Sequence, residues 1–294
     1  MEKQPILKVD KLKQHFRINS HFVVEAVDGI SFDIHEGEIF ALVGESGSGK
    51  STVARSVMGF YTPTDGEVYF SGKLISGKKH RRERKDVCKN MQMIFQDSAA
   101  ALNPRMTVEK LIEEPMLINH MYKSKDEMSK RIDELLEQVG LNSSYRKKYP
   151  SEISGGQRQR VSIARSIALR PKLIIADEPL AALDVSIQAQ IVNLFMDLQK
   201  KCGFAFLFIA HDLSIVKYIS NRVGVLYKGK LVEMATTDEL FTNPLHPYTK
   251  SLISAAPVPD PAVERNKVVL EFRETDFNGA GEMEEVKKGH FVLR

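Results

Sequence analysis

From about Ile6 to Val43 apolar and polar residues alternate in short runs, broken at Asp28-Gly29 and Glu36-Gly37. That pattern predicts strands joined by turns. The alternation stops at Ile39–Val43, where the apolar residues run together as IFALV, as suits a strand buried on both faces. A glycine-rich segment follows and then a helical pattern. Asp65-Gly66 ahead of EVYF, and Ser71-Gly72 ahead of KLI, predict a further hairpin-like stretch. Around Pro104 to Leu141 the period changes. Ile132, Leu135, Leu136 and Val139 recur at i, i+3, i+4 and i+7, one face of a helix, and Gly140 is placed to end it. Beyond this helical middle third, Leu173–Ala176 and Ala205–Ile209 predict two more buried strands, with a helix over Ile187–Leu198 between them. After Leu240 the chain becomes proline-rich (NPLHPYTK, APVPDP) and then charged, which predicts an extension with little core of its own. The whole reads as α/β, with no internal repeat.

Composition narrows this only slightly. The chain has 294 residues, 43% hydrophobic and 27% charged, ordinary values for a globular protein able to bury a full core. Apolar runs such as Phe204–Ala210 fall far short of the roughly 20 residues that span a bilayer. The opening MEKQPILKVD has no apolar leader core, so a cytoplasmic location is expected. Cys88 and Cys202 have no metal-ligand spacing, which points to a reduced compartment. A net charge of +4 is too mild to suggest a nucleic-acid binder by itself. The basic run Lys78–Lys85 could touch nucleic acid or anionic headgroups, but a solvated face is the simpler expectation.

The segment after Ile39–Val43 carries the chemistry. GESGSGKST fits G-x-x-x-x-G-K-[ST], with Gly44, Gly49, Lys50 and Ser51 at the defining positions and Glu45, Ser46, Gly47, Ser48 and Thr52 completing it. It follows a buried strand and opens a helix, the context such a phosphate loop requires. Glycines let backbone N–H groups close around an anion, and the helix N-terminus adds partial positive charge. Lys50 is expected at the β- and γ-phosphates of ATP, and the Ser51 hydroxyl on Mg²⁺.

A second magnesium contact is expected from Asp177, which ends the apolar strand LIIAD, where a carboxylate is costly unless it holds a cation or a hydrogen-bond network. Glu178, next along, is a candidate general base for the attacking water. A strand ending in two solvated acids is the plain alternative. Ser154-Gly155-Gly156-Gln157 opens another helical run and is a second candidate anion site. With one phosphate loop per chain, that site is expected to serve the nucleotide of a partner in a dimer. A simple N-cap by Ser154 would account for the serine but not for the paired glycines.

GESGSGKST, ISGGQRQR, IIADEP and the lone His211 of FLFIAHD together resemble the motif set of an ABC-type ATP-binding cassette, over about Leu7 to Leu240. The resemblance implies a P-loop ATPase core: a mixed sheet with flanking helices and an N-terminal antiparallel β part. It also implies an inserted helical subdomain at about 98–165 within a cassette of 1–242, then a C-terminal extension, 243–294. It implies that Gln96 of MIFQD senses Mg²⁺ and the γ-phosphate, and that His211 is the γ-phosphate switch. It further implies that Asp184 lies in the loop crossing the dimer interface and that Ser154, Gly155 and Gly156 cap the opposite subunit's nucleotide. The resemblance implies, too, that an aromatic near the N-terminus stacks on adenine, with Phe16 the closest match and Phe22 the alternative.

Three longer strings, MQMIFQDSAAALNPRMTV, EPLAALDVSIQAQI and NPLHPYTKSLISAAPVPDP, resemble the ATP-binding subunits of oligopeptide and dipeptide importers, the second of the two paired subunits in particular. The implied partners are a second ATP-binding subunit, two transmembrane permease subunits and an extracytoplasmic substrate-binding protein, with no nucleic acid. The implied place is the cytoplasmic face of a prokaryotic plasma membrane. Importers of nickel or other small solutes in the same branch, and soluble ABC ATPases acting on nucleic acid or ribosomes, are the alternatives. The latter usually carry two cassettes or a long coiled coil. Ser98, Ile153 and Ala181 depart from the group's usual proline, leucine and serine or threonine, and the tail has no cysteine cluster for an iron–sulfur centre. The extension is expected to dock its first part through Tyr248, Leu252 and Ile253, to be loosely held after Pro261, and to supply no residue to the ATP site.

Overall fold

The computed structural model describes residues 4–20, 22–77, 84–257, 264–273, 275, 279 and 281–294. The chain divides into two units, Met1–His80 with Leu207–Arg294, and Arg81–Phe206. In the first, β1 (Leu7–Arg17) and β2 (Val23–Ile34) form a long antiparallel pair in which Leu7 faces Ile34 and Phe16 faces Val24. Leu7 and Val9 are buried, then Leu12 and Gln14, so the alternation slips by one residue at Lys11. Lys11 takes φ +48°, and its N–H donates to Ser31 Oγ at 2.8 Å. Such a bulge keeps both halves of a long strand facing the core. The strand β3 (Ile39–Val43), every residue buried, leads to α1 (Lys50–Val57). Next, β4 (Asp65–Phe70) and β5 (Lys73–Leu74) complete an antiparallel sheet in the order β2-β1-β4-β5.

The second unit holds α2 (Arg84–Asn90), β6 (Met91–Ile94), α3 (Ser98–Ala101), α4 (Val108–Ile118), α5 (Lys125–Gln138), α6 (Gly155–Ile167), β7 (Leu173–Asp177) and α7 (Val185–Cys202). The helix expected from the Ile132 to Val139 spacing is α5. Ser124 caps it through Asp126 N at 3.2 Å, Ile132, Leu135, Leu136 and Val139 are all buried, and Gly140 leaves it at φ +72°. The apolar face of α4, Leu111, Ile112 and Met116, is buried too. Polar contacts fix the helices' relation: the Arg146 guanidinium donates to both Asp133 carboxylate oxygens at 3.0 Å, to Ser129 Oγ at 2.8 Å and to Glu109. The strands β6 and β7 run parallel, Met91 opposite Leu173 and Ile94 opposite Ala176. Residues 78–83 of the basic run lie outside the described residues.

The boundary between the units falls within β8 (Ala205–Ile209). The first unit then resumes with α8 (Leu213–Ile219), β9 (Arg222–Tyr227), β10 (Lys230–Thr236), α9 (Thr237–Thr242), α10 (Pro247–Ala255), β11 (Met283–Lys287) and β12 (His290–Leu293). Here β3 pairs in parallel with β9, Phe40 opposite Arg222 and Val43 opposite Val225. The hairpin from β9 to β10 turns on Lys228 and Gly229, both at positive φ, the two-residue turn that matches strand twist. The β10 edge is then taken by β12, Glu233 opposite Val292, and β12 pairs with β11. This corrects the expectation of a loosely held tail beyond Pro261: His290 and Val292 are buried. The terminal hairpin builds no core of its own but borrows an edge about sixty residues upstream, Glu233 opposite Val292, which local periodicity does not reveal.

Replacing Arg146 by Ala removes the shared partner of Asp133, Glu109 and Ser129. Because those acids are partly exposed, a loss of about 1–2 kcal/mol is expected, read as a lower urea midpoint. Arg146→Lys is expected to recover less than half of it, since Nη1 serves Asp133 while Nη2 serves Glu109 and Ser129, and one ammonium cannot take both places. An unchanged midpoint for Arg146→Ala would show that the cluster holds nothing together.

Candidate nucleotide site

In the first unit the chain leaves β3 at Gly44 and enters α1 at Lys50. Gly44 and Gly49 take φ +149° and +108°, and a Cβ on either would lie 2.1 Å from Leu226 O or 2.2 Å from Ala26 O. Only glycine fits those two approaches to neighbouring backbone. The loop closes around its own lysine. Lys50 is 3% exposed, and its Nζ donates to Gly44 O and Glu45 O, each at 2.8 Å, and to Ser48 Oγ at 3.5 Å. Ser48 N donates to Glu45 O at 3.2 Å, and Gly229 N to Ser48 O at 2.9 Å. Ser46 and Gly47 stand at the exposed crest, while Ser51 and Thr52 lie half-buried in the first turn of α1. The N-cap of α1 is Gly49, with no capping side chain, an arrangement that suits an anion. His211, exposed, comes two residues past β8 and just before Asp212, which caps α8 through Ser214 N at 2.8 Å and Ile215 N at 3.3 Å. Phe16 is half-buried near the end of β1, edge-on to Tyr61 with centroids 5.1 Å apart, whereas Phe22 is largely exposed.

In the second unit Asp177 ends β7 and is 2% exposed. Glu178 follows at φ +47°, a region costly for a residue with a Cβ and typical of functional positions. Its Oε2 accepts from Gln96 Nε2 at 3.3 Å. The parallel register explains the meeting. With Ile94 opposite Ala176, the residues two further along each strand, Gln96 and Glu178, emerge side by side. At Ser154 a capping box closes the start of α6: Ser154 Oγ accepts from Gln157 N at 3.3 Å, and Ser154 N donates to Gln157 Oε1 at 2.9 Å. A Cβ on Gly156 would lie 2.7 Å from Ile187 Cγ2, while one on Gly155 meets only ordinary contacts at 3.8 Å. Packing against Ile187 thus accounts for Gly156 and leaves Gly155 without a packing reason. Asp184 caps α7 with its carbonyl, accepting from Ile187 N and Gln188 N at 2.9 Å, while its exposed side chain makes no capping bond. Of the departures, Ile153 is buried, Ala181 is exposed, and Ser98 opens α3, capped by Asp97.

The extension is expected to supply no residue to the ATP site, and the structure brings one of its side chains against the backbone of the phosphate loop. Tyr248, the second residue of α10, accepts from Glu45 N through its hydroxyl at 3.1 Å. Its ring is 1% exposed and lies 4.3 Å from that of Tyr227 and 5.4 Å from that of Phe272. Burial pushes the phenol up to about 12, so it acts as a neutral acceptor at any ordinary pH. A phenol reaching a loop two hundred residues upstream leaves no mark in local spacing.

Residues 27–181 match the family described as "ABC transporter". The chain belongs to the ABC transporter family. A second match, to "Oligopeptide/dipeptide transporter, C-terminal region", covers residues 232–275. The chain is 54% identical over 294 residues to the oligopeptide transport ATP-binding protein OppF of Bacillus subtilis, covering 99% of this chain and 96% of that one. It is 47% identical to OppF of Streptococcus mutans, over 99% and 95% of the two chains. Among solved structures it resembles the ATP-binding cassette MJ0796, a dimer bound to ADP and Pi, with TM-score 0.71, 28% identity and coverage of 79% of this chain and 98% of that one. The fold is accordingly the α/β P-loop ATPase of ABC cassettes, with its antiparallel N-terminal sheet and helical subdomain.

In this ABC cassette the segment leading into α10 is held by Glu233, which is fully buried and accepts from Leu245 N at 2.8 Å and His246 N at 2.9 Å. His290 Nε2 lies 2.7 Å from the same carboxylate, and His246 Nδ1 accepts from Tyr248 N at 3.1 Å. Burial lowers the pKa of His246, against the opposing charge of Glu233. A ring that protonates less readily folded than unfolded contributes stability that is full above the ordinary histidine value of about 6.5 and lost as pH falls below it. The thermal midpoint is therefore expected to fall on acidification from about pH 7 to 5.5. His246→Asn, which keeps an oxygen acceptor for Tyr248 N but cannot titrate, is expected to flatten part of that fall. Equal slopes for the two proteins would remove His246 from the effect.

Proposed function

We propose that this chain hydrolyses ATP to drive the import of peptides, as one of two ATP-binding subunits on the cytoplasmic face of a bacterial membrane transporter. The observation that carries this reading is the joint presence, on one chain, of the ABC family match and of the peptide-transporter C-terminal region. Relatives named for oligopeptide transport along the whole length support it. No helix among the described residues is long and apolar enough to cross a membrane. The proposed partners are a second ATP-binding subunit, two permeases and an extracytoplasmic binding protein, which together select the cargo.

The chemistry follows from the residues described above. Lys50, already surrounded by carbonyl acceptors, exchanges some of them for β- and γ-phosphate oxygens, and the start of α1 adds N–H groups to the same anion. Mg²⁺ would be held by the hydroxyl of Ser51, the carboxylate of Asp177 and the amide oxygen of Gln96, each a hard oxygen donor of the kind that ion takes. That ion, when bound, neutralises charge developing on the phosphates. Glu178 orients and polarises the attacking water, its carboxylate steadied by Gln96, and His211 contacts the γ-phosphate. Phe16 stacks on adenine. Ser154, Gly155, Gly156 and Gln157 complete the nucleotide of the partner subunit, with Asp184 at the interface between subunits.

Glu178→Gln keeps the size of the side chain and removes its basicity. In the assembled transporter it is expected to bind ATP normally and to lose turnover by a factor on the order of 10² or more. Near-normal hydrolysis by that variant would end the assignment.

The signature segment is tested by Ser154→Arg. It is expected to leave ATP affinity of this chain's own phosphate loop intact while abolishing nucleotide-driven association of the paired subunits, followed by light scattering. Loss of the chain's own affinity with association preserved would mean that the segment acts on its own nucleotide.

A further inference from the structure

Two backbone points of the phosphate loop in the first unit are held from outside. One is the Gly229 N–H on Ser48 O at 2.9 Å, from the turn between β9 and β10. The other is the Tyr248 hydroxyl on Glu45 N at 3.1 Å. The second belongs to the C-terminal extension, and it acts at a sensitive place. Gly44 O and Glu45 O, on either side of the N–H that Tyr248 holds, are the two carbonyls that take the Lys50 ammonium, each at 2.8 Å. The orientation of the Gly44–Glu45 peptide therefore sets where the lysine points.

We infer that Tyr248 is a positioning residue for the phosphate loop, and that through it the C-terminal extension sets how tightly the chain holds nucleotide. The inference rests on the proposed reading of this loop as the ATP site. Tyr248 is itself placed by the extension. Its N–H is fixed by His246 Nδ1 at 3.1 Å, and the His246 N–H by Glu233 at 2.9 Å. The same carboxylate takes His290 of β12 at 2.7 Å, and the Tyr248 ring packs against Phe272. Both ends of the extension thus converge on one buried acid, while His246 and Phe272 fix one phenol, and the phenol ends on the loop. Without the hydroxyl, the Glu45 N–H must seek another acceptor. The peptide can then rotate, and the loop needs reordering before each nucleotide binds, a cost felt in affinity. Once nucleotide is bound, its own contacts impose the loop geometry, so the chemical step is little changed.

The test is Tyr248→Phe, which keeps the ring and its packing and deletes only the acceptor. Affinity for Mg-ADP is measured by calorimetry on the full chain, and KM and kcat for ATP in the assembled transporter. The expected result is a rise of about 3- to 10-fold in both the ADP dissociation constant and KM. The expected kcat lies within twofold of wild type, with a thermal midpoint shifted by no more than about 2 °C. His290→Ala, remote from the loop, is expected to raise the same constants in the same direction by about twofold. An ADP affinity within twofold of wild type for Tyr248→Phe overturns the inference. So does an affinity loss that merely follows a large fall in midpoint, since that marks a filler of space. If the wild-type transporter shows no ATP turnover while it binds ADP, the proposed function fails, and calorimetry still decides the role of Tyr248.

Discussion

A lysine ammonium that is almost wholly buried has to be surrounded by acceptors, and at Lys50 those acceptors are the carbonyls of the loop that precedes it. An unpaired ammonium in that place would be prohibitively costly or would lose its proton. The rest of the site is arranged around meeting that demand. Gly44 and Gly49 let the chain turn back on itself against Leu226 O and Ala26 O. The fully buried β3 and its parallel partner β9 provide a rigid base from which the loop springs. A site built on such elements holds its geometry better than one built on loops alone.

The second unit reaches a comparable result by different means. Its strands β6 and β7 end together, and the residues just past their ends, Gln96 and Glu178, touch because the parallel register leaves them level. The backbone strain at Glu178 is held by a neighbourhood that is otherwise regular: Asp177, Pro179 and Leu180 are all buried. Strain confined to one residue between buried neighbours costs on the order of 1–3 kcal/mol and fixes a carboxylate where an unstrained strand end would leave it free to swing. The start of α6 carries no such strain. Its serine and glutamine satisfy each other in a capping box.

Much of this was legible because the decisive patterns are local. The run IFALV, the GESGSGKST string after it and the spacing of Ile132, Leu135, Leu136 and Val139 each depend on neighbours within a few residues, and each became the expected strand, loop or helix. What stayed hidden was of two kinds: local signals that went unused and contacts with partners distant in sequence. The strands β9 and β10 were not expected, although Lys228-Gly229 between two apolar runs is a hairpin signal that could have shown them. Lys288-Gly289 between EEVK and HFVL is the same signal for β11 and β12. The packing reason for Gly156 lies in Ile187, on another helix. The contact of Tyr248 with Glu45 has no local signal at all, since HPYT reads equally well as a surface helix start.

The extension also answers a problem that the cassette itself creates. The strand β10 would otherwise present an unpaired edge, and an open edge of Leu231, Val232, Met234 and Ala235 invites wrong partners. Covering it with β12 removes that hazard but buries Glu233, opposite Val292, in the process. A buried carboxylate is tolerable only with donors around it, and the extension brings them: Leu245 N, His246 N and His290 Nε2. These bonds are charge-assisted and directional, so the segment before α10 can sit in one place only. The first turn of α10 then follows with little freedom, and its tyrosine faces the loop. Edge protection, satisfaction of one acid and delivery of one phenol are therefore a single structural commitment, which explains why a proline-rich tail without a core of its own is nonetheless ordered where it meets the cassette.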